Sequence, residues 1–95
     1  MRLTRYQIDS IKSAGENVIP GFKIYLYGSR TDDSKKGGDI DLMITGDRAL
    51  TFEETSFFLD EIYKKIGVQR IDVASFTPNS DNTFFKLISL DAVEI

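Results

Sequence analysis

The sequence predicts a small α+β domain, a mixed β-sheet with helices packed mainly on one face. Three observations carry this expectation. Stretches with helical periodicity alternate with short runs rich in aromatic and β-branched residues. A helix joins the second and third of these strands, as a parallel crossover requires. Finally, 95 residues with 41% hydrophobic content suit one modest core, so residues 1–95 are read as a single domain.

The first helix starts at Thr4, with Gln7 three residues on as in a capping box, and with Leu3 and Ile8 at the two staple positions. Ile8, Ile11 and Ala14 then recur at helical spacing, and Gly15 is read as the stop. Pro20-Gly21 marks a turn. Phe22 to Tyr27, FKIYLY, reads as the first strand and runs directly into Gly28-Ser29. Residues 30–38, RTDDSKKGG, form a polar loop, or a short helix followed by a turn, so either a wide hairpin or an inserted helix fits here.

Asp39 to Ile44 is the second strand. Its period of two puts Asp39, Asp41 and Met43 on one face and Ile40, Leu42 and Ile44 on the other. Thr51 and Glu54 make a second capping box, after which Thr55, Phe58, Leu59, Ile62 and Ile66 trace one helical face. Lys64 and Lys65 complement the last turn, and Gly67 ends the helix. Val68 to Phe76 is the third strand, with Ile71 and Val73 pointing one way and Asp72 the other. Asp81 to Leu90 is a short final helix that offers Phe84, Phe85, Leu87 and Ile88 to the core, and the tail to Ile95 has room for a short strand.

Composition excludes several chemistries. The chain has no histidine and no cysteine, which removes imidazole bases, Ser-His-Asp catalysis, thiolate or histidine-ligated zinc, and disulfides. A net charge of −3 makes long duplex nucleic acid a poor expectation as partner. The apolar runs are too short for a membrane span, and the first residues, MRLTRYQIDS, lack the apolar segment of a signal peptide. The expected location is the cytoplasm.

What remains is carboxylate and phosphate chemistry. Asp39 and Asp41 lie on one side of one strand, with Cα atoms roughly 6–7 Å apart by the strand rise, a gap that a divalent cation suits. Asp72 on the next strand has the parity to aim at the same face. Three converging carboxylates repel one another unless a cation lies among them. Mg²⁺ takes one or two carboxylates plus phosphate oxygens and water, and two such ions clamp the attacking and leaving oxygens of a phosphoryl transfer. Gly28-Ser29 supplies a close backbone approach and consecutive N–H donors for phosphate, and Arg30 adds a planar two-pronged donor.

The order Gly28-Ser29-Arg30, a spacer, then Asp39-Ile40-Asp41-Leu42, with the strands IYLYGSR and RIDVAS around it, resembles the DNA polymerase β-type nucleotidyltransferase superfamily. The short length most resembles the minimal nucleotidyltransferases, small prokaryotic proteins often encoded beside a HEPN-domain partner. The resemblance implies the polymerase β-type nucleotidyltransferase fold. It assigns Gly28 and Ser29 to the triphosphate, with Arg30 at a position often held by Arg, and Asp39, Asp41 and Asp72 to metal binding and catalysis. It implies an Mg²⁺-dependent transfer of a nucleoside monophosphate, AMP from ATP, to an acceptor hydroxyl such as a Tyr on a HEPN-type toxin partner, an antitoxin role.

The spacer departs from many relatives. It lacks their Arg-Gly pair and the Ser before the first aspartate, and it carries Asp32-Asp33 and Lys35-Lys36, which act in opposite senses on a triphosphate. One alternative is a non-catalytic or weakly catalytic module that acts by stoichiometric complex formation. Another is the nucleotide-binding subunit of a two-chain small-molecule transferase. A partner chain is expected in each case, and homo-oligomerisation stays open.

Overall fold

The computed structural model describes residues 3–28 and 39–95. In chain order the elements are α1 (Arg5–Val18), β1 (Lys23–Tyr27), β2 (Ile40–Thr45), α2 (Phe52–Ile66), β3 (Ile71–Phe76), α3 (Thr83–Ser89) and β4 (Val93–Glu94). Among the described residues the strands form one sheet in the order β3-β2-β1-β4. β1 runs antiparallel to both β2 and β4, and β2 runs parallel to β3. The sheet is therefore mixed, with α2 as the crossover between its parallel pair. β1 and β2 are neighbours in this sheet, and the expected loop or short helix over residues 30–38 lies outside the described residues.

Both long helices start as their capping boxes require. The Gln7 N–H donates to Thr4 Oγ1 at 3.1 Å while the Thr4 N–H donates to Gln7 Oε1 at 2.9 Å. Thr51 and Glu54 repeat the reciprocal pair at 3.1 and 2.9 Å. In each case two of the otherwise orphaned N–H groups of the first turn are satisfied. Arg48 adds a two-pronged ion pair to Glu54, 2.6 Å on each arm.

The inward faces meet in one hydrophobic cluster. Ile11 and Ala14 come from α1, Ile24 and Leu26 from β1, Ile40, Leu42 and Ile44 from β2, and Phe58 and Ile62 from α2. Phe58 and Ile62 are fully buried, and each contributes roughly 1.5–3 kcal/mol of transfer free energy. The period-two pattern of β2 explains why its alternate residues reach this cluster.

Gly15 does not end α1, as the sequence suggests; the helix continues to Val18 with Ile19 as its cap. Gly15 is buried against β1, where a Cβ would lie 2.6 Å from Ile24 Cδ1. Its small size serves close helix–strand contact, not termination. The strand and helix limits also shift by one to three residues from the expected ones, as fraying ends commonly do.

α3 packs on the sheet face opposite α1 and α2. Phe76 of β3 meets Phe84 and Phe85, with ring centroids 6.3 and 5.0 Å apart, and Ser89 Oγ approaches Met43 Sδ at 3.8 Å. Of the four α3 residues expected in the core, Ile88 is buried, whereas Phe84 and Leu87 stay exposed. This short helix covers the outer side of Met43 and leaves the Asp41 end of β2 half-open. No helix among the described residues is long and apolar enough to cross a membrane.

Candidate active site

The outer face of the sheet carries the chemistry. Asp41 pairs with Tyr27 across the antiparallel ladder and with Asp72 across the parallel one. Asp41 and Asp72 are therefore register neighbours whose side chains, by strand parity, stand on the same face. This is the juxtaposition the sequence predicts.

The electrostatics follow from this placement. Burial pushes the Asp41 carboxyl above its ordinary range, and the charges of Asp72 and Asp39 add to this, as does a hydrogen bond between the Asp41 and Asp72 side chains. Arg70 acts in the opposite sense. The Tyr27 phenol is also raised, first by burial and then by the Asp41 and Asp72 carboxylates. Each shift has the sign expected for a half-buried pocket of negative charge.

Gly28 ends β1 beside this pair with φ of +76°, a conformation in which a side chain is strained. A Cβ built on it would lie 2.6 Å from Asp41 Oδ2. Glycine is thus required twice here, by the backbone turn and by the carboxylate next to it. Ser29 and Arg30, expected at the phosphates, and Lys35 and Lys36 of the spacer lie outside the described residues.

Asp39 stands just before β2, and its Oδ2 forms an ion pair with Arg70 Nε at 3.2 Å. The same Nε lies 3.9 Å from Asp72 Oδ2. Sequence reasoning singled out three acidic groups and missed this basic one. The available signal was parity, because Arg70 precedes Asp72 by two residues and shares its side of the strand. Among the described residues, no group of three acidic side chains converges into a metal cage. Asp41 and Asp72 come together, while Asp39 is engaged with Arg70.

The donor set nevertheless fits a hard divalent cation. It is made of carboxylate oxygens alone, which suits Mg²⁺. Two carboxylates paired in register on one face carry a repulsion that a cation would relieve. Asp41 and Asp72 would hold it, and Asp39 stands at the rim to complete the set.

Comparison with known proteins bears on the family and the fold. The family model for the nucleotidyltransferase domain matches residues 7–93. Two solved structures share the fold, both mutant forms of the toxin-antitoxin MntA-HpeT. The first superposes with a TM-score of 0.70 at 13% identity, covering 90% of this chain and 69% of the other. The second has a TM-score of 0.67 at 17% identity, covering 93% and 69%. A search of curated proteins finds no match.

Proposed function

Because this chain belongs to the nucleotidyltransferase domain family, we propose that it transfers a nucleoside monophosphate from a nucleoside triphosphate, ATP first among them, to an acceptor hydroxyl, with the α–β phosphoanhydride bond broken and pyrophosphate released. The single observation that carries this proposal is the register pairing of Asp41 with Asp72 beside Gly28. It places two carboxylates and a glycine turn at one end of the sheet, which is the minimum a metal-bound triphosphate needs.

Each residue has a role that follows from its position. Gly28, with no Cβ, lets a phosphate and the Asp41 carboxylate approach the same backbone. Ser29 and Arg30, next in the chain, would donate hydrogen bonds to the β and γ phosphates. Asp41 and Asp72 would hold Mg²⁺, with Asp39 as the third carboxylate. When bound, Mg²⁺ supplies Lewis-acid stabilisation of the charge that develops on the phosphoryl oxygens. Asp72 is exposed on β3, so an incoming acceptor hydroxyl can reach it, and the carboxylate can take up the hydroxyl proton.

The acceptor half of the site would lie on another chain. The two MntA-HpeT structures describe toxin–antitoxin assemblies, which supports a protein partner and an antitoxin role here. A Tyr of a HEPN-type toxin is the acceptor this reading names. Exposed Leu87 and Leu90, close to the site beside Tyr27 and Gly28, supply apolar surface for such a partner.

The test is incubation with ATP labelled at the α-phosphate and Mg²⁺, with and without the protein encoded next to this one. Label is expected on the partner with the natural chain and a loss of about 10²–10³-fold with Asp41→Asn, the scale of removing a transition-state electrostatic contact. Undiminished labelling by that variant would overturn the mechanism.

A further inference from the structure

We propose that Arg70 is an internal counter-ion that holds the carboxylate cluster in its metal-free state and couples metal binding to nucleotide binding. The inference rests on the nucleotidyltransferase reading of the site and deepens it. Its basis is the placement of one guanidinium between two carboxylates, 3.2 Å from Asp39 just before β2 and 3.9 Å from Asp72 on β3.

Three features make the placement a device and not an incidental surface pair. First, the Arg70 backbone is fixed to the site, since the Ile40 N–H donates to the Arg70 carbonyl at 3.1 Å, where β2 begins. Second, its side chain is 74% exposed, so the guanidinium can swing away without any rearrangement of the fold. Third, the carboxylates it touches are two of the three that a metal would use. A divalent cation entering the cluster must therefore compete with Arg70 for Asp39 and Asp72.

That competition has a thermodynamic consequence. A metal ion arriving alone leaves Arg70 beside a new positive charge and without its partners. A metal ion arriving with a triphosphate brings phosphate oxygens, which can accept hydrogen bonds from the guanidinium released from Asp39 and Asp72. The arginine thus weakens binding of the bare metal more than binding of the metal–nucleotide pair. By linkage, metal and nucleotide each raise the other's affinity.

The test uses the full chain and Mn²⁺ as the probe, read from the loss of the free Mn²⁺ paramagnetic resonance signal. Titrations are run with and without a non-hydrolysable ATP analogue. Without nucleotide, Arg70→Gln is expected to bind Mn²⁺ about three- to ten-fold more tightly than the natural chain, the scale of removing one exposed charge near a divalent ion. With the analogue present, the difference should shrink or reverse. Arg70→Lys, which keeps the charge, should stay near the natural affinity. Thermal unfolding of each variant confirms the fold.

Equal or weaker Mn²⁺ binding by Arg70→Gln without nucleotide overturns the role of Arg70 and leaves the carboxylate site standing. Absence of Mn²⁺ binding in both proteins overturns it as well. Asp41→Asn serves as the second control. If that variant binds Mn²⁺ as the natural chain does, the carboxylate site itself is wrong and the inference falls with it.

Discussion

At the scale of single residues, Asp41 is where folding and function oppose each other. Burial and the Asp72 and Asp39 charges raise its carboxyl, so in the metal-free protein its ionised form is a cost to the folded state. The direction in pH follows from linkage. Above the raised value the penalty is complete. As pH falls toward the ordinary carboxyl value of 3.8, the folded protein takes up the proton first and the penalty disappears. Asp41→Asn should therefore stabilise the metal-free fold at neutral pH by about 0.5 kcal/mol, the scale of like charges facing each other across strands. The gain should fade as pH is lowered through that window. Urea unfolding at pH 7 and pH 4 measures both, and a variant less stable than the natural chain at pH 7 would contradict the argument. Asp39 and Arg70 show the limit of reading residues from sequence. Parity places Asp39, Asp41 and Asp72 on one side, but it does not say that Asp39 is held by an arginine just before the neighbouring strand. That contact depends on where β3 begins and on its pairing in register with β2, which are tertiary facts.

At the scale of elements, the parts that local chemistry determines were legible. Thr4 with Gln7 and Thr51 with Glu54 mark both helix starts, because an N-cap and its reciprocal partner need only four residues of sequence. The alternation in β2 likewise predicts that Ile40, Leu42 and Ile44 enter the shared core. Gly15 shows where local chemistry stops. A glycine after an apolar helical face looks like a terminator, yet here it accommodates Ile24 from another element. The side on which α3 packs was equally hidden, since Phe84, Phe85, Leu87 and Ile88 are apolar toward either face of the sheet. Gly15→Ala makes the helix–strand contact measurable. Helix propensity alone favours alanine by about 1 kcal/mol. A methyl group 2.6 Å from Ile24 Cδ1 forces that buried side chain to move, and overpacking costs about 1–3 kcal/mol. The net expectation is destabilisation by about 1 kcal/mol, read from the midpoint of urea unfolding. A more stable variant would mean that Ile24 relaxes freely and that close packing does not explain this glycine.

At the scale of the whole molecule, the site lies where the antiparallel pair β1–β2 and the crossover join. Gly28 ends β1, Asp41 stands near the start of β2 and Asp72 near the start of β3, so the outgoing end of one strand meets the incoming ends of two others. Sheet order β3-β2-β1 makes these three positions adjacent, although 44 residues separate Gly28 from Asp72, as their numbers show. A ligand that contacts all three positions binds the folded chain and has no equivalent site in the unfolded one. Its binding free energy therefore adds to stability as RT ln(1 + [L]/Kd). With Mg²⁺ and a non-hydrolysable ATP analogue at 100 times Kd, the gain is about 2.7 kcal/mol. For a domain of this size that corresponds to a Tm rise on the order of 10 °C. The double variant Asp41→Asn with Asp72→Asn removes both register-paired carboxylates and leaves the inward-facing core of β2 and β3 untouched. It should unfold cooperatively, show no loss of stability without ligand, and lose most of the ligand-induced rise. A rise equal to that of the natural chain would mean that the nucleotide binds away from the three strand ends, and the sheet topology would no longer account for the site.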